Sequence, residues 1–177
     1  VPFLKKIRIG PSWVKPFVLD PLLLASSFRA ARAMEPDIIH GHLHEGCLIG
    51  YFVKKFISSP LLFDLQGSLT GELKFHKFIR ERSILYRFFY FMEELIDSLP
   101  DAIVTQSSHM VLDLTERFRV PKEKVFLNYD GVDTQFFKPM QKDPRLTGEL
   151  RLPAGKKIVV FIGILSDYQG VDLMLKA

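Results

Sequence analysis

The chain has 177 residues, 47% hydrophobic and 25% charged, with a net charge of +4 and a pI near 9.2. That is ordinary for a soluble globular protein of one domain, or one and a fraction. A single cysteine, Cys47, excludes an internal disulfide framework, and the longest wholly apolar run is far short of the ~20 residues that span a bilayer.

The mild positive charge permits an anionic partner, whether a nucleotide, a phospholipid surface or nucleic acid, without choosing among them. Sixteen Phe are many for this length, so some aromatic surface is expected outside the core. Cys47 lies in an apolar setting, which reads as a small core residue rather than a nucleophile and fits a reducing compartment. The first residue is Val and no charged-then-apolar leader is present, so both ends are expected to be cuts in a longer protein.

Residues 1–21 carry prolines at 2, 11, 16 and 21, a spacing that favours irregular extended chain. Leu22 to Met34 is helix-like, with Leu23, Phe28, Ala31 and Met34 on one side and Arg29 and Arg32 on the other. Asp37 to His42 reads as a strand. Glu45 to Phe56 reads as a helix whose Gly46 and Gly50 allow close approach to a sheet. Pro60 to Leu65 is the next strand and Gln66 to Gly71 a loop. Glu72 to Leu99 is long, helical and aromatic, with room for one break. Ala102 to Thr105 is a strand, Ser108 to Phe118 a helix capped by Ser107 or Ser108, and Lys124 to Asn128 another strand.

Residues 129–156 wander past Pro139, Pro144 and Pro153. Ile158 to Leu165 is then a near-continuous Val/Ile/Phe run, the pattern of a strand buried on both faces. A turn from Ser166 to Gly170 and a helix start at Val171 follow. A strand, a loop with glycines at both ends and a helix start place backbone N–H groups where an anion could sit. Short apolar strands alternating with helices predict an α/β fold with a doubly wound parallel sheet. The expected division is residues 1–138 as one Rossmann-like domain, 139–156 as a connection, and 157–177 as the first strand, loop and helix of a truncated second one.

Four stretches carry candidate chemistry. In residues 36–46, His40, His42 and His44 fall at or past the carboxyl end of a strand, where ligands bind in open parallel sheets. His40 reads best as structural and His42 as ligand-facing. A metal is not expected: a loop would not hold three imidazoles at one ion, and no carboxylate or Cys cluster completes the set. In residues 63–73, Gln66 and Gly67 open a strand-end loop, either a plain turn or a cleft wall offering an amide to a hydroxyl-rich ligand.

Residues 74–92 carry Lys74, Lys77, Arg80, Arg82 and Arg87 against one acid, Glu81. On one continuous helix this is either a solvated basic face or a contact with an anionic membrane, through Lys77, Arg80 and Arg87 with Phe75 and Phe78. Nucleic-acid binding is not expected, because no reader motif backs the charge. In residues 126–139, Asp130 and Gly131 mark a turn.

Taken together, PDIIHGH, DAIVTQS, KEKVFLNYDGVD with Phe137 and Pro139, and VVFIGILSDYQGVDLML resemble the retaining glycosyltransferases of family 4 and GT-B fold, in order and spacing. The resemblance runs from about Asp37 to the end. It implies two Rossmann-like domains facing a cleft, the first receiving an acceptor and the second a nucleotide sugar. It further implies that the first strands and glycine-rich loop precede Val1, and that most of the donor domain, with its paired glutamates, lies beyond Ala177. The chain alone is then expected to be inactive.

By the same resemblance, His42, Glu45, Gln66, Gly67, Ser107, Asp130 and Gly131 line the acceptor side, with His42 as catalytic candidate. Gly163, Ile164, Gln169 and Gly170 meet the donor. Asp130 stands where the family has Asn, and Gln66 ends a strand that often ends in His. Ile164 and Gln169 stand where the family has an Arg and a Lys on the leaving diphosphate. The implied co-substrate is a nucleotide-diphosphate sugar without cofactor or metal, and the acceptor a glycan or lipid-linked hydroxyl. The implied location is the cytoplasm, peripherally on the inner membrane face. A non-catalytic relative that binds a glycan, nucleotide or partner is the alternative.

Overall fold

The computed structural model describes residues 14–177 other than 142, 154, 164 and 166–168, with the backbone alone of 144, 146 and 147. The chain divides into two compact units, Val1–Asp130 and Gly131–Ala177.

In the first unit a π-helical turn, Lys15–Leu19, runs into helix α1, Asp20–Met34. Pro16 and Pro21 do not block it. Pro16 sits in the first turn of the π-helical segment, where a missing N–H costs little, and Pro21 falls at the junction where that segment gives way to α1. Ala31 is the one α1 side chain buried, against Ile49 and Val53, whereas Met34 of the expected apolar face is exposed. Glu35, in the left-handed region at φ 45°, ends the helix.

Strand β1 (Ile39–His42), helix α2 (Leu43–Ile57), strand β2 (Leu61–Leu65), helices α3 (Leu69–Phe75) and α4 (Ile84–Ser98), strand β3 (Ala102–Thr105), helix α5 (Ser108–Leu112) and strand β4 (Val125–Leu127) follow. The sheet is parallel in the order β1-β2-β3-β4, so this is the expected α/β, Rossmann-like architecture. When each strand pairs with the next in sequence, right-handed crossovers deliver the connecting helices to one face. Leu61, Phe63, Leu65 and Ile103 point to that face and form one core with Cys47, Ile96, Leu114 and Phe118. On the other face Leu62, Asp64, Ala102 and Val104 are half-buried, and His40, His42 and Phe126 are exposed.

Two glycines set the spacing between α2 and the sheet. A Cβ on Gly41 would lie 2.8 Å from the Gly46 carbonyl, and one on Gly50 would lie 2.7 Å from a Leu61 methyl. The aromatic stretch breaks once, between α3 and α4. Lys77 and Arg82 take positive φ there, 57° and 64°, and the Ser83 hydroxyl restarts the helix by accepting the Tyr86 N–H at 3.0 Å.

In the second unit the helices are α6 (Pro144–Glu149) and α7 (Val171–Lys176), the latter entered through Gly170 at φ 67°. The expected strand at 158–165 does not form among its described residues. Val160 and Ile162 are 71% and 93% exposed. A parallel strand exists only by pairing, and no described segment of this unit pairs with it.

Candidate active site

All four strands run the same way, so their carboxyl ends open on one edge of the sheet. His42 ends β1. Its register partner on β2 is Asp64, which places the two side chains side by side on the open face. His42 Nδ1 lies 2.8 Å from Asp64 Oδ2. The Gln66 amide donates to the same carboxylate at 3.2 Å, and the His40 ring stacks at 4.3 Å on that of His42. In the neutral ring, a proton carried on Nδ1, the nitrogen facing Asp64, leaves Nε2 as a lone-pair acceptor. His42 remains 58% exposed, within reach of a ligand, while Asp64 is 14% exposed.

The strands therefore unite His42 with Gln66 through Asp64, a residue that had read only as part of a strand. Its alignment with His42 depends on register, which no local pattern encodes. The expectation that no carboxylate joins the histidines is corrected: donor atoms of His40, His42 and Asp64 all lie within 4.8 Å of one another. Two imidazoles and a carboxylate form a donor set of the transition-metal type. His42 Nδ1 and Asp64 Oδ2 already face each other at ion-pair distance.

The third histidine leaves the group. Leu43 adopts φ 60°, a left-handed conformation that a branched side chain rarely takes, at the strand-to-helix turn. The turn carries His44, in the first turn of α2, to the opposite side of the chain, where it is 5% exposed. There its Nε2 lies 3.4 Å from Asp97 Oδ1 and 4.0 Å from Glu93 Oε1. The 3.4 Å approach is misaligned, and neither His44 Nε2 nor Asp97 Oδ1 makes a hydrogen bond.

Glu93 is better satisfied, because its Oε2 accepts both the backbone N–H of Thr70 (3.0 Å) and the Thr70 hydroxyl. Burial pushes the Asp97 carboxyl above the usual carboxylate range, with the neighbouring His44 imidazole pulling it part of the way back. Burial, aided by Asp97, also pushes the Cys47 thiol up to about 12. Cys47 is thus a protonated core group, as its setting suggested. Glu93 and Asp97, missed in the sequence, tie α4 to the strand-end segments: Glu93 holds Thr70 after β2, and Asp97 faces His44 after β1.

The remaining acceptor-side candidates have varied surroundings. Glu45 receives the Lys15 ammonium at 2.7 Å. Burial opposes the Glu45 charge, but the hydrogen bond from Lys15, a backbone hydrogen bond and nearby positive charge outweigh it, and its carboxyl titrates below the usual range. Gly67 stands open, with nothing within 4 Å of a Cβ placed there. The Ser107 hydroxyl caps α5, accepting the His109 N–H at 3.2 Å. Asp130 and Gly131 are exposed on either side of the division between the units. An open recess of about 320 Å³ lies beside β1, lined by Leu23, Met34, Ile49, His40 and His42 among others.

Of the donor-side candidates, Ile164 lies outside the described residues. Gly163 and Gln169 are exposed, and Gly170 precedes α7. The membrane candidates do not share one helical face. Phe75 ends α3, Lys77 and Arg80 lie in the connection, Phe78 is half-buried, and only Arg87 belongs to α4. No helix among the described residues is long and apolar enough to cross a membrane.

This parallel α/β unit, with a His–Asp pair at its strand ends, is matched over residues 3–136 by the family model for Glycosyltransferase Family 4, and the chain belongs to that family. It is 23% identical over 154 residues to a D-inositol 3-phosphate glycosyltransferase of Corynebacterium aurimucosum, covering 85% of this chain and 36% of that protein. The protein of the same name from Thermobispora bispora is 24% identical over 158 residues, covering 87% and 36%. Spore coat protein SA of Bacillus subtilis is 36% identical over 90 residues, 48% of this chain and 24% of that one. Among solved structures, Anabaena Alr3699/HepE in complex with UDP superposes with a TM-score of 0.53 at 16% identity, covering 73% of this chain and 31% of that one. This chain thus spans about a third of the length of the two inositol-phosphate transferases.

Proposed function

We propose that this chain is the acceptor-side domain, with the start of the donor domain, of a retaining glycosyltransferase. The full-length enzyme moves a sugar from a nucleotide-diphosphate donor to a hydroxyl of a glycan or lipid-linked acceptor. The observation that carries this reading is the His42–Asp64 pair at the open strand ends, 2.8 Å apart. Membership of family 4 supports transfer chemistry, and a structural neighbour solved with UDP supports a nucleotide-sugar donor.

In the proposed step the acceptor oxygen forms a bond to the anomeric carbon as the bond to the diphosphate breaks. The acceptor proton passes to the leaving diphosphate. The domain's contribution is orientation. Asp64 holds the His42 ring so that Nε2 faces the acceptor, and Gln66, hydrogen-bonded to the same carboxylate, borders it. No cofactor or metal enters the step. An anionic membrane near the acceptor, on the cytoplasmic side, belongs to the same reading.

The test uses the full-length protein with UDP- and GDP-sugars and a lipid extract or oligosaccharide acceptors. Labelled sugar is expected in the acceptor fraction, with His42→Ala lowering kcat/KM about a hundredfold. Neither transfer nor donor hydrolysis across the panel would overturn the proposal. Neutral Ile164 and Gln169, standing where the family has two cations, favour a second reading as a non-catalytic binding relative. Calorimetry that finds nucleotide binding without turnover would select it.

A further inference from the structure

Helix α4 is polarised against its surroundings. Its inward side carries Glu93 and Asp97, 1% and 2% exposed, while its outward side carries Ile84, Phe88, Phe91 and Leu95, 88%, 53%, 59% and 41% exposed. At 3.6 residues per turn these four fall within an arc of about 60°. Their spacing, i, i+4, i+7 and i+11, is that of the seam between two helices packed along their length. A contiguous apolar stripe of this kind is uncommon on a solitary domain.

The flanks of the stripe are also ordered. Arg87 and Glu94 lie along one side, Leu85 and Met92 along the other. Arg87 and Glu94 are seven residues apart, about 10 Å along the axis, too far to pair with each other. Neither makes an ion pair with another described residue.

We propose that α4 is a self-association surface on which two copies of the chain pair antiparallel across a twofold axis between Phe88 and Phe91. That symmetry sets Ile84 against Leu95 of the second copy and Phe88 against Phe91. It brings Arg87 of each copy to Glu94 of the other, twice, and Leu85 to Met92. An isologous contact must be self-complementary, and this one is in shape and charge. A parallel pairing would set Arg87 beside Met92 and leave both charges unpaired. A bilayer fits less well, since Glu94 flanks the stripe, and Lys77, Arg80 and Arg82 lie before the helix rather than along it. The exposed side chains amount to about 400 Å² per copy. That is below the ~800 Å² per partner of a standard interface, so the dimer is weak and concentration-dependent.

Sedimentation velocity on the chain, from low micromolar to the highest soluble concentration, tests this. A monomer–dimer equilibrium is expected, abolished by Phe88→Glu with Phe91→Glu at an unchanged melting temperature. Arg87→Glu alone and Glu94→Arg alone should each raise the dimer Kd about tenfold. The double exchange should restore it to within about threefold of the original. A monomer at every concentration overturns the proposal, as does a double exchange no better than the single ones. So does a monomer that binds phosphatidylserine vesicles through the phenylalanines and binds them more tightly after Glu94→Arg, which would make the stripe a membrane contact.

Discussion

Two histidine–carboxylate groups lie on opposite sides of one residue, Leu43. Before it, His40 and His42 meet Asp64 on an open sheet face, and His42 is 58% exposed. After it, His44 meets Glu93 and Asp97 where all three are at most 5% exposed. The side chains are of the same kinds and the histidines alternate without interruption in the sequence. Water separates their roles. The exposed pair can exchange hydrogen bonds with a ligand at small cost, whereas the buried group must be satisfied internally or weaken the fold.

That contrast can be broken most severely on the buried side. Glu93→Ala leaves the Thr70 N–H and hydroxyl without their acceptor and is expected to cost about 3 kcal/mol in urea unfolding, with Glu93→Gln milder. Gly41→Ala, between His40 and His42, drives a methyl into the Gly46 backbone, where only main-chain movement can relieve it. A loss of about 2 kcal/mol is expected from this overpacking. A loss below about 0.5 kcal/mol would show that α2 is not held as close as its glycines indicate.

Asp97→Asn sharpens the comparison through pH. Burial raises the folded pKa of Asp97 above its unfolded value. Its contribution to stability is therefore complete below the unfolded pKa, about 3.9, and is lost as pH rises through the raised folded value. Relative to Asp97→Asn, the parent chain should lose stability as pH rises above about 4, measured by urea unfolding at a series of pH values. Parallel curves would mean that the carboxylate is not penalised.

The smallest change in stability is expected on the exposed side. Asp64→Asn should alter unfolding by about 0.5 kcal/mol, because solvent replaces much of what the His42 pair loses. If the full-length protein transfers sugar as proposed, the same substitution should lower kcat/KM about tenfold by releasing the ring orientation. Equal effects of Asp64→Asn and Glu93→Gln on stability would erase the distinction between the two groups.

The alternation of short apolar strands with helices was legible in the sequence, and so was the parallel sheet. The Ala102–Thr105 strand matches to the residue, because Ile103 and Thr105 alternate inward while the chain turns at either end. Gly46 and Gly50 announced the close helix. His42 was legible as a strand-end residue for the same reason. Its partner was not, because Asp64 meets it only through β1–β2 register.

The basic aromatic stretch misled in a particular way. A single helix over 74–92 would gather Lys77, Arg80 and Arg87, but left-handed residues at Lys77 and Arg82 divide it. Those conformations belong to residue types for which no local rule predicts positive φ.

By itself, then, the sequence determined periodicity, and with it the elements, the fold class and, by resemblance, the family. It also placed His42 at a strand end and Cys47 in the core. Tertiary structure decided which carboxylate each histidine faces, which face of the sheet stays open, and which side of α4 is apolar toward solvent. It also decided that Ile158 to Leu165, for all its strand-like composition, forms no strand among its described residues. The reason is common to all four. Periodicity is a property of one segment, whereas pairing, burial and the cost of a charge depend on what the rest of the chain places beside it.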